Sequence, residues 1–359
     1  MNSIRVWFQE HLSNPQVFAL AVLLVVFFGI VTVMGEMLMP VLASIVIAYL
    51  LEGLVVRLCM FGIPRLPAVL FVFFSFLVFM SFVGLGLLPL ISRQATQLAG
   101  QIPTAIEQFQ SQMMLLAERY PAIFSEQQVQ ELIDLVRLEI TNMGREIVTM
   151  SVSSVVGLIT LSVYAILVPM LVFFFMKDKS RILQWVLGYL PRDLSLATVV
   201  WRDLDRQIGN YIRGKFLEIL ILWWATYITF AILGLNYSLL LSLLVGISVL
   251  IPYIGAVVVT IPVALVAYMQ WGFTSDLGIL MGAYLVVQAL DGTAVVPVLF
   301  SEVVSLHPVA IITAVLVFGG LWGFWGVFFA IPLATLVQAV LTAWPTGDRL
   351  EAEVNEPAV

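Results

Sequence analysis

Cysteine and histidine are nearly absent from this sequence. It has one cysteine, Cys59, and two histidines, His11 and His307. A single cysteine excludes a disulfide within the chain, and so few thiolate and imidazole ligands argue against a transition-metal cluster. The sequence also lacks a Gly-x-Ser-x-Gly elbow, a His-Glu-x-x-His helix and a Gly-x-x-x-x-Gly-Lys-Ser/Thr phosphate loop. We therefore expect no enzyme activity, no cofactor and no bound metal.

Charged residues are also scarce. They make up 11% of the 359 residues, whereas 62% are hydrophobic and the mean hydropathy is +1.07. Soluble domains are about one quarter charged, so this chain has more apolar surface than a globular core can bury. We expect an all-α polytopic membrane protein in contact with membrane lipid. The formal net charge of −6 argues against nucleic-acid binding.

Long uncharged runs predict about eight transmembrane helices. Their predicted bounds are 16–34, 37–51, 67–91, 151–176, 216–234, 237–270, 277–299 and 309–343. An even number of crossings places both termini on the same side of the membrane.

The charges between these runs predict the orientation. Segment 177–215 has eight basic residues against four acids, whereas segment 91–150 has four arginines against seven acids. Because lysine and arginine stay in the cytoplasm, we expect 177–215 inside and 91–150 outside. Arg57 and Arg65 also fall inside in an eight-span protein with cytoplasmic N and C termini.

The same pattern divides the chain into six segments. We predict spans one to three in 1–90, an amphipathic helical periplasmic segment in 91–150, span four in 151–176, a cytoplasmic basic amphipathic helix in 177–215, spans five to eight with the transport motifs in 216–344, and a disordered acidic tail in 345–359. The outer segment is either a cap packed on the spans or an element that contacts another subunit.

Two apolar stretches late in the chain have similar sequences. Residues 253–264 read YIGAVVVTIPVA, and residues 324–334 read FWGVFFAIPLA. Proline removes a helical hydrogen bond and frees a carbonyl group, which in a membrane must be partnered by protein or water. We hypothesise that Pro252–Pro262 and Gly323–Pro332 are paired broken or re-entrant segments, as in transporters built from internal repeats. Chance similarity between two apolar stretches is the alternative.

A few ionisable residues lie at predicted membrane depth. A carboxylate there faces protein or water, or stays protonated, so Asp291 is a candidate for ion coupling or for a structural hydrogen bond. Gln288 lies one turn earlier and could donate to Asp291, and Gly292 with Thr293 could loosen the helix.

Three further candidates for ion coupling are Glu302, His307 and Glu218. The first two lie at the predicted outer end of span eight, where His307 either titrates near physiological pH or occupies an exposed turn. Glu218 could instead pair with Lys215 or Arg213. The residues predicted along the transport pathway are Pro252, Tyr253, Gly255, Pro262, Gln288, Asp291, Thr293, Gly323, Gly326 and Pro332.

Several of these motifs together resemble the autoinducer-2 exporter family. They are YIRGK around Arg213-Gly214, IPYIG at 251–255, LHP at 306–308, and GFWG at 323–326 with AIPLA at 330–334. The run from Gln288 to Trp344 resembles the PerM-like permease branch of that family. The resemblance implies a multi-pass permease of the bacterial inner membrane, with export of the furanone signal autoinducer-2 or exchange of sodium or lithium for protons. It also implies a homo-oligomer, for which a pentamer with elevator-like motion has been proposed in the family.

Three functional hypotheses follow. The first is a secondary transporter that exports a small polar solute, with Asp291 carrying a coupling proton or Na⁺. The second is a Na⁺(Li⁺)/H⁺ antiporter that needs the same carboxylate but no solute pocket. The third is a non-transporting membrane scaffold that acts through residues 91–150.

Overall fold

The computed structural model describes residues 15–119, 154–188, 195–300 and 306–343. Throughout these ranges the chain forms helices and turns, and they contain no strand. In chain order the elements are α1 (Pro15–Met60), α2 (Arg65–Phe82), a π-helical turn (Val83–Leu87), α3 (Leu88–Arg119), α4 (Ser154–Lys177), α5 (Lys179–Leu187), α6 (Ser195–Ile232), α7 (Ser238–Ser248), α8 (Ile254–Trp271), α9 (Ser275–Leu290), a second π-helical turn (Asp291–Val295), α10 (Val296–Phe300), α11 (Pro308–Phe328) and α12 (Ala330–Ala343). The all-α fold is therefore confirmed over the described residues.

Six of the described helical stretches are long and apolar enough to cross a membrane. They are Met37–Met60, Arg65–Gln101, Asp205–Ile232, Ile254–Trp271, Ser275–Phe300 and Pro308–Phe328. The chain is thus an integral membrane protein with several apolar helices, but the structure does not reproduce eight separate spans.

The first two predicted spans lie in one unbroken helix, α1. The sequence prediction separated them at Glu36, but one charged residue does not end a helix. Pro40 lies inside α1, and the Ser44 hydroxyl donates to its carbonyl oxygen at 2.6 Å. Ser44 also reaches the Val168 carbonyl of α4 at 3.3 Å, so α4 packs against α1 at this point.

The predicted sixth span is a helical hairpin, called the first hairpin (Ser238–Trp271). The chain turns after α7, and Tyr253 adopts a left-handed φ of 63° before α8 runs back along α7. Gly255 lies directly against the carbonyl oxygen of Ser248, so that an added Cβ would overlap that oxygen. Buried valines from both arms share one hydrophobic cluster, which holds the arms together.

The predicted eighth span is also a hairpin, called the second hairpin (Pro308–Ala343). α11 breaks at Gly323, whose φ of 56° and ψ of −133° are not helical. The chain then folds back so that Gly326 lies against the carbonyl oxygen of Phe318, again with no room for a Cβ. Ala314 and Ala330 pack in one cluster across the arms. Both of the similar stretches therefore begin at a sharp turn followed by a glycine in contact with the preceding arm.

α6 lies at the centre of the described bundle. It contacts α1, α7, α9, α10 and α12, so the first hairpin packs on it through α7 and the second through α12. Its buried hydrophobic side chains belong to two clusters, with Tyr211 in one and Leu222 and Phe230 in the other. This arrangement brings the chemistry of α6 next to both hairpins.

The two predicted extramembrane segments are only partly described. Residues 91–119 continue α3, while residues 120–150, the tail 345–359 and Glu302 lie outside the described residues. Segment 177–215 contains α5 and the first half of α6. Because Tyr211 and Lys215 are buried, the last turns of this predicted surface helix lie within the bundle.

Candidate functional site

Three ionisable side chains are buried on α6 and at the start of the second π-helical turn. Lys215, Glu218 and Asp291 are 5%, 2% and 9% exposed. Lys215 Nζ donates to Glu218 Oε2 at 2.8 Å, an ion pair between residues one turn apart on α6. Asp291 interacts electrostatically with both Lys215 and Glu218. We call these three residues the charge cluster.

Asp291 is placed by an irregularity in the helix. It begins the π-helical turn that separates α9 from α10, and such turns are frequent at functional sites. Thr293 is exposed and its hydroxyl donates to the Ala289 carbonyl at 2.7 Å. The predicted loosening at Gly292 and Thr293 is confirmed, since the π turn spans both residues.

One carboxylate oxygen of Asp291 is unsatisfied. Oδ1 is buried, and no donor from the described residues reaches it. A buried acceptor without a partner is costly, and each such atom in a folded protein calls for an explanation such as a catalytic role, a water or an ion. Here it marks a position where a proton or a small cation would gain a ligand.

An aromatic ring closes one side of the charge cluster. Lys215 Nζ lies 5.4 Å from the centre of the Phe300 ring, within the range of a cation–π contact. Gly214 makes this possible, because a Cβ there would lie 2.9 Å from the ring. The glycine of the YIRGK motif thus lets α10 approach α6 closely.

Tyr211 links the charge cluster region to the second hairpin. Its side chain is 1% exposed, and its hydroxyl donates to the Phe328 carbonyl at 3.1 Å. Leu333 donates to Phe329 in the regular helical pattern at 2.8 Å, so position 332 is the one that would donate to Phe328. Pro332 has no amide hydrogen, and Tyr211 supplies the missing donor. The carbonyl group freed by this proline is therefore partnered inside the protein.

A second polar network runs between the first hairpin and α9. Gln288 Nε2 donates to the Tyr284 hydroxyl at 2.6 Å, and that hydroxyl lies 3.1 Å from Thr260 Oγ1 on α8. The hypothesis that Gln288 donates to Asp291 is thus wrong in this structure. Tyr284 is fully buried and is the nearer partner for the amide.

The predicted residues fall into separate places. Glu218 and Asp291 meet in the charge cluster, whereas Pro252, Tyr253, Gly255 and Pro262 belong to the first hairpin, and Gly323, Gly326 and Pro332 to the second. His307 is exposed and caps α11, where its Nδ1 accepts from the Val309 amide at 3.3 Å. The pairing of Glu218 with Lys215, weighed as the alternative to coupling, is present.

Two residues of the site were missed or underused in the sequence prediction. Tyr211 was not singled out, and Lys215 was considered only as a partner of Glu218. Tyr211, Lys215 and Glu218 recur at helical spacing in α6, which places them on one face. A lysine and a glutamate on the same helical face as buried apolar residues are a usable signal.

The described residues contain no group of three or more His, Cys, Asp or Glu side chains placed to hold a metal ion.

This chain is similar to known proteins over nearly its whole length. Residues 19–346 match the family model described as AI-2E family transporter. A protein of Escherichia coli K12 named as a permease, PerM, is 48% identical over 344 residues, which cover 95% of this chain and 97% of that protein. A Bacillus subtilis 168 protein named as a transport protein, YueF, is 27% identical over 301 residues, which cover 82% of this chain and 80% of that protein. A Synechocystis protein also named as a transport protein, sll0063, is 26% identical over 308 residues, which cover 84% of this chain and 76% of that protein.

Proposed function

Since this chain belongs to the AI-2E transporter family, we propose that it is a secondary transporter that exports a small polar solute of the autoinducer-2 kind. The membrane is the bacterial inner membrane, and a proton or Na⁺ binds at Asp291 during the cycle. The observation that carries this proposal is the buried carboxylate of Asp291, whose Oδ1 has no donor among the described residues although it lies near Lys215.

The charge cluster has the composition that ion coupling requires. One lysine interacts with two carboxylates, and Glu218 already holds its ammonium group at 2.8 Å. One negative charge is left uncompensated in a buried position, which is unfavourable. A proton or a small cation at Asp291 neutralises that charge and satisfies Oδ1. Loading and unloading of Asp291 would therefore change how strongly α6 holds the π turn.

The hairpins provide the second part of the mechanism. α7 has 11 residues, or about 16 Å of helix, against about 30 Å for the hydrocarbon core. In α11 the helix breaks at Gly323 after the 15 residues 308–322, or about 22 Å of helix, which is also shorter than the hydrocarbon core. We infer that both hairpins are re-entrant and that the pathway for the solute runs beside α6, along the predicted residues Pro252 to Pro262 and Gly323 to Pro332. Helix ends at such tips bind polar groups.

The orientation follows from the charge distribution. Segment 177–215 is cytoplasmic, 91–150 is periplasmic, and the C terminus is cytoplasmic. A cytoplasmic N terminus does not follow if α1 crosses once, because Arg57 and Pro15 lie near opposite ends of one 46-residue helix. The family resemblance supports a homo-oligomer, and the exposed apolar side chains of α2, such as Phe71 and Phe74, face lipid or another subunit.

Transport by purified protein in proteoliposomes tests the coupling role. We expect autoinducer-2 counterflow to respond to an imposed pH gradient in the natural protein and to lose that response at least about tenfold in Asp291→Asn, because the amide cannot exchange a proton. Asp276→Asn is the matched control, since Asp276 lies in the first turn of α9, the helix that leads into the π turn, and is exposed.

The outcomes separate the hypotheses. If Asp291→Asn keeps the full pH response, Asp291 does not couple ions. If no solute moves but sodium releases protons from the vesicles, the protein is an antiporter and solute export is wrong. If neither occurs while changes in 91–150 remove the cellular phenotype, the scaffold hypothesis replaces both.

A further inference from the structure

A cavity of about 250 Å³ lies at the end of α6 that is remote from the charge cluster. Three elements line it: α3 with Gln101 and Thr104, the α6–α7 turn with Asn236, and the last turn of α8 with Gln270. Roughly 20 Å of helix separates Glu218 from Ile232, where α6 ends. The cavity is therefore a separate site and does not include the charge cluster.

Hydrogen bonds of two glutamines, Gln270 and Gln94, hold the elements around the cavity together. Gln270 Oε1 accepts from the Asn236 amide at 2.8 Å, and its Nε2 donates to the Gly234 carbonyl at 2.8 Å. Gln94 Oε1 accepts from the Leu240 amide at 2.9 Å, which ties α3 to the start of α7. These bonds hold α3, the α6–α7 turn and α8 in place without using the side chains of Gln101, Thr104 or Asn236.

The turn itself is strained. Tyr237 has a left-handed φ of 57°, a conformation that is costly for an aromatic residue and is often retained at ligand sites. This conformation places Tyr237 in the wall of the cavity together with Val266 and Met269. Part of the lining is thus apolar, and the rest carries amides and a hydroxyl group.

The lining identifies the class of ligand. None of the lining residues is charged, so nothing there compensates an anion or a cation. Amides and a threonine donate and accept in turn, which suits hydroxyl groups, and the apolar wall suits the carbon face of a small ring. The volume is below the usual range for drug-sized ligands, so the ligand is a small molecule.

We propose that this cavity binds a small, uncharged, hydroxyl-rich solute. Resting on the proposed function, we infer further that it holds the exported solute at the outer end of α6, after the solute has passed the charge cluster. Gln101, Thr104 and Asn236 hydrogen-bond the solute, while Tyr237 and Met269 pack against its carbon skeleton.

Binding of D-ribose to the purified full-length protein in nanodiscs tests the site. We expect ribose at roughly millimolar concentrations to raise the Tm in a saturable way, whereas D-ribose 5-phosphate, which is charged, does not. In Gln101→Leu/Thr104→Val the affinity falls at least about tenfold, because two polar contacts are lost. Gln97→Leu is the matched control, because Gln97 is exposed on the same helix and does not line the cavity.

Equal effects of ribose and its phosphate, or unchanged affinity in the double variant, would overturn the site. Asp291→Asn separates this proposal from the proposed function. It should bind ribose normally even where it has lost coupled transport, because the charge cluster is remote. If transport is confirmed but ribose does not bind, the cavity proposal alone is wrong. If ribose binds as expected but no solute is transported, the cavity proposal stands and the proposed export function is wrong.

Discussion

Pro332 has its main effect on a carbonyl group four residues earlier in the chain. It leaves the Phe328 oxygen without its helical donor, and the Tyr211 hydroxyl occupies that position at 3.1 Å. Because Tyr211 lies one turn before Lys215 on α6, this hydrogen bond joins the second hairpin to the helix that carries Lys215 and Glu218. A carbonyl that a proline exposes is normally a liability in a membrane, and here it is the attachment point between two elements.

A double-mutant cycle tests this hydrogen bond. Tyr211→Phe should lower the free energy of unfolding by about 1–2 kcal/mol, because it leaves a partly buried carbonyl without a donor. In the Pro332→Ala background the new amide can donate to Phe328, so the same substitution should cost less than about 0.5 kcal/mol. Unfolding in SDS titrations of the purified protein measures both. Equal costs in the two backgrounds would show that the Tyr211 hydroxyl does not replace the amide donor that Pro332 lacks.

Local contacts of the site are predictable from sequence and distant ones are not. The pairing of Lys215 with Glu218 follows from a separation of one helical turn, and the irregular helix at Asp291 follows from Gly292 and Thr293. The bond from Tyr211 to Phe328 joins residues 117 positions apart, so no local pattern contains it. Gln288 shows the same limit, since its amide turned to a tyrosine on its own helix instead of to Asp291.

At the scale of elements, the two hairpins are the features that hydropathy misses. Stretches 237–270 and 309–343 are apolar throughout, and composition does not distinguish a crossing helix from two arms that fold back. The repeated motif indicated the hairpins although the length of the apolar stretches did not, because Gly255 and Gly326 have the same environment. Each lies against a carbonyl oxygen of the preceding arm, at Ser248 and Phe318.

Alanine at these glycines should disrupt the hairpins. In Gly255→Ala or Gly326→Ala the added methyl group overlaps backbone atoms that cannot move aside, so we expect a loss of at least about 2–3 kcal/mol or a protein that does not accumulate. Gly282→Ala on α9 is the control, because nothing lies within 4 Å of its added Cβ. It should be neutral or stabilising by up to about 1 kcal/mol. Thermal unfolding of the purified proteins compares them, and equal Tm values would refute the close contact.

At the scale of the whole molecule, the hairpins decide which loops face which side of the membrane. α6 runs outward from the cytoplasmic segment in the proposed orientation. If the first hairpin is re-entrant, the loop at Thr274 is periplasmic and the loop at His307 is cytoplasmic. If 237–270 crosses as one span, as hydropathy alone predicts, both positions are reversed.

Cysteine labelling in intact cells distinguishes these arrangements. Because Cys59 is the only cysteine, a Cys59→Ser background allows one new label at a time. Thr274 and His307 are both exposed, so cysteines there should be reachable by reagents. We expect Thr274→Cys to react with a membrane-impermeant maleimide from outside and His307→Cys only after the cells are opened. The opposite pattern would exclude a re-entrant first hairpin.

The contacts at Gly255 and Gly326 limit what the molecule can do mechanically. Where backbone rests on backbone there is no rotamer to flip and no side chain to yield, so neither tip can flex open by itself. We therefore expect each hairpin to move as one rigid unit, against the surface where α7 and α12 contact α6. Smaller side chains along α6 at that surface should therefore change the transport rate without the loss of stability expected at the tips.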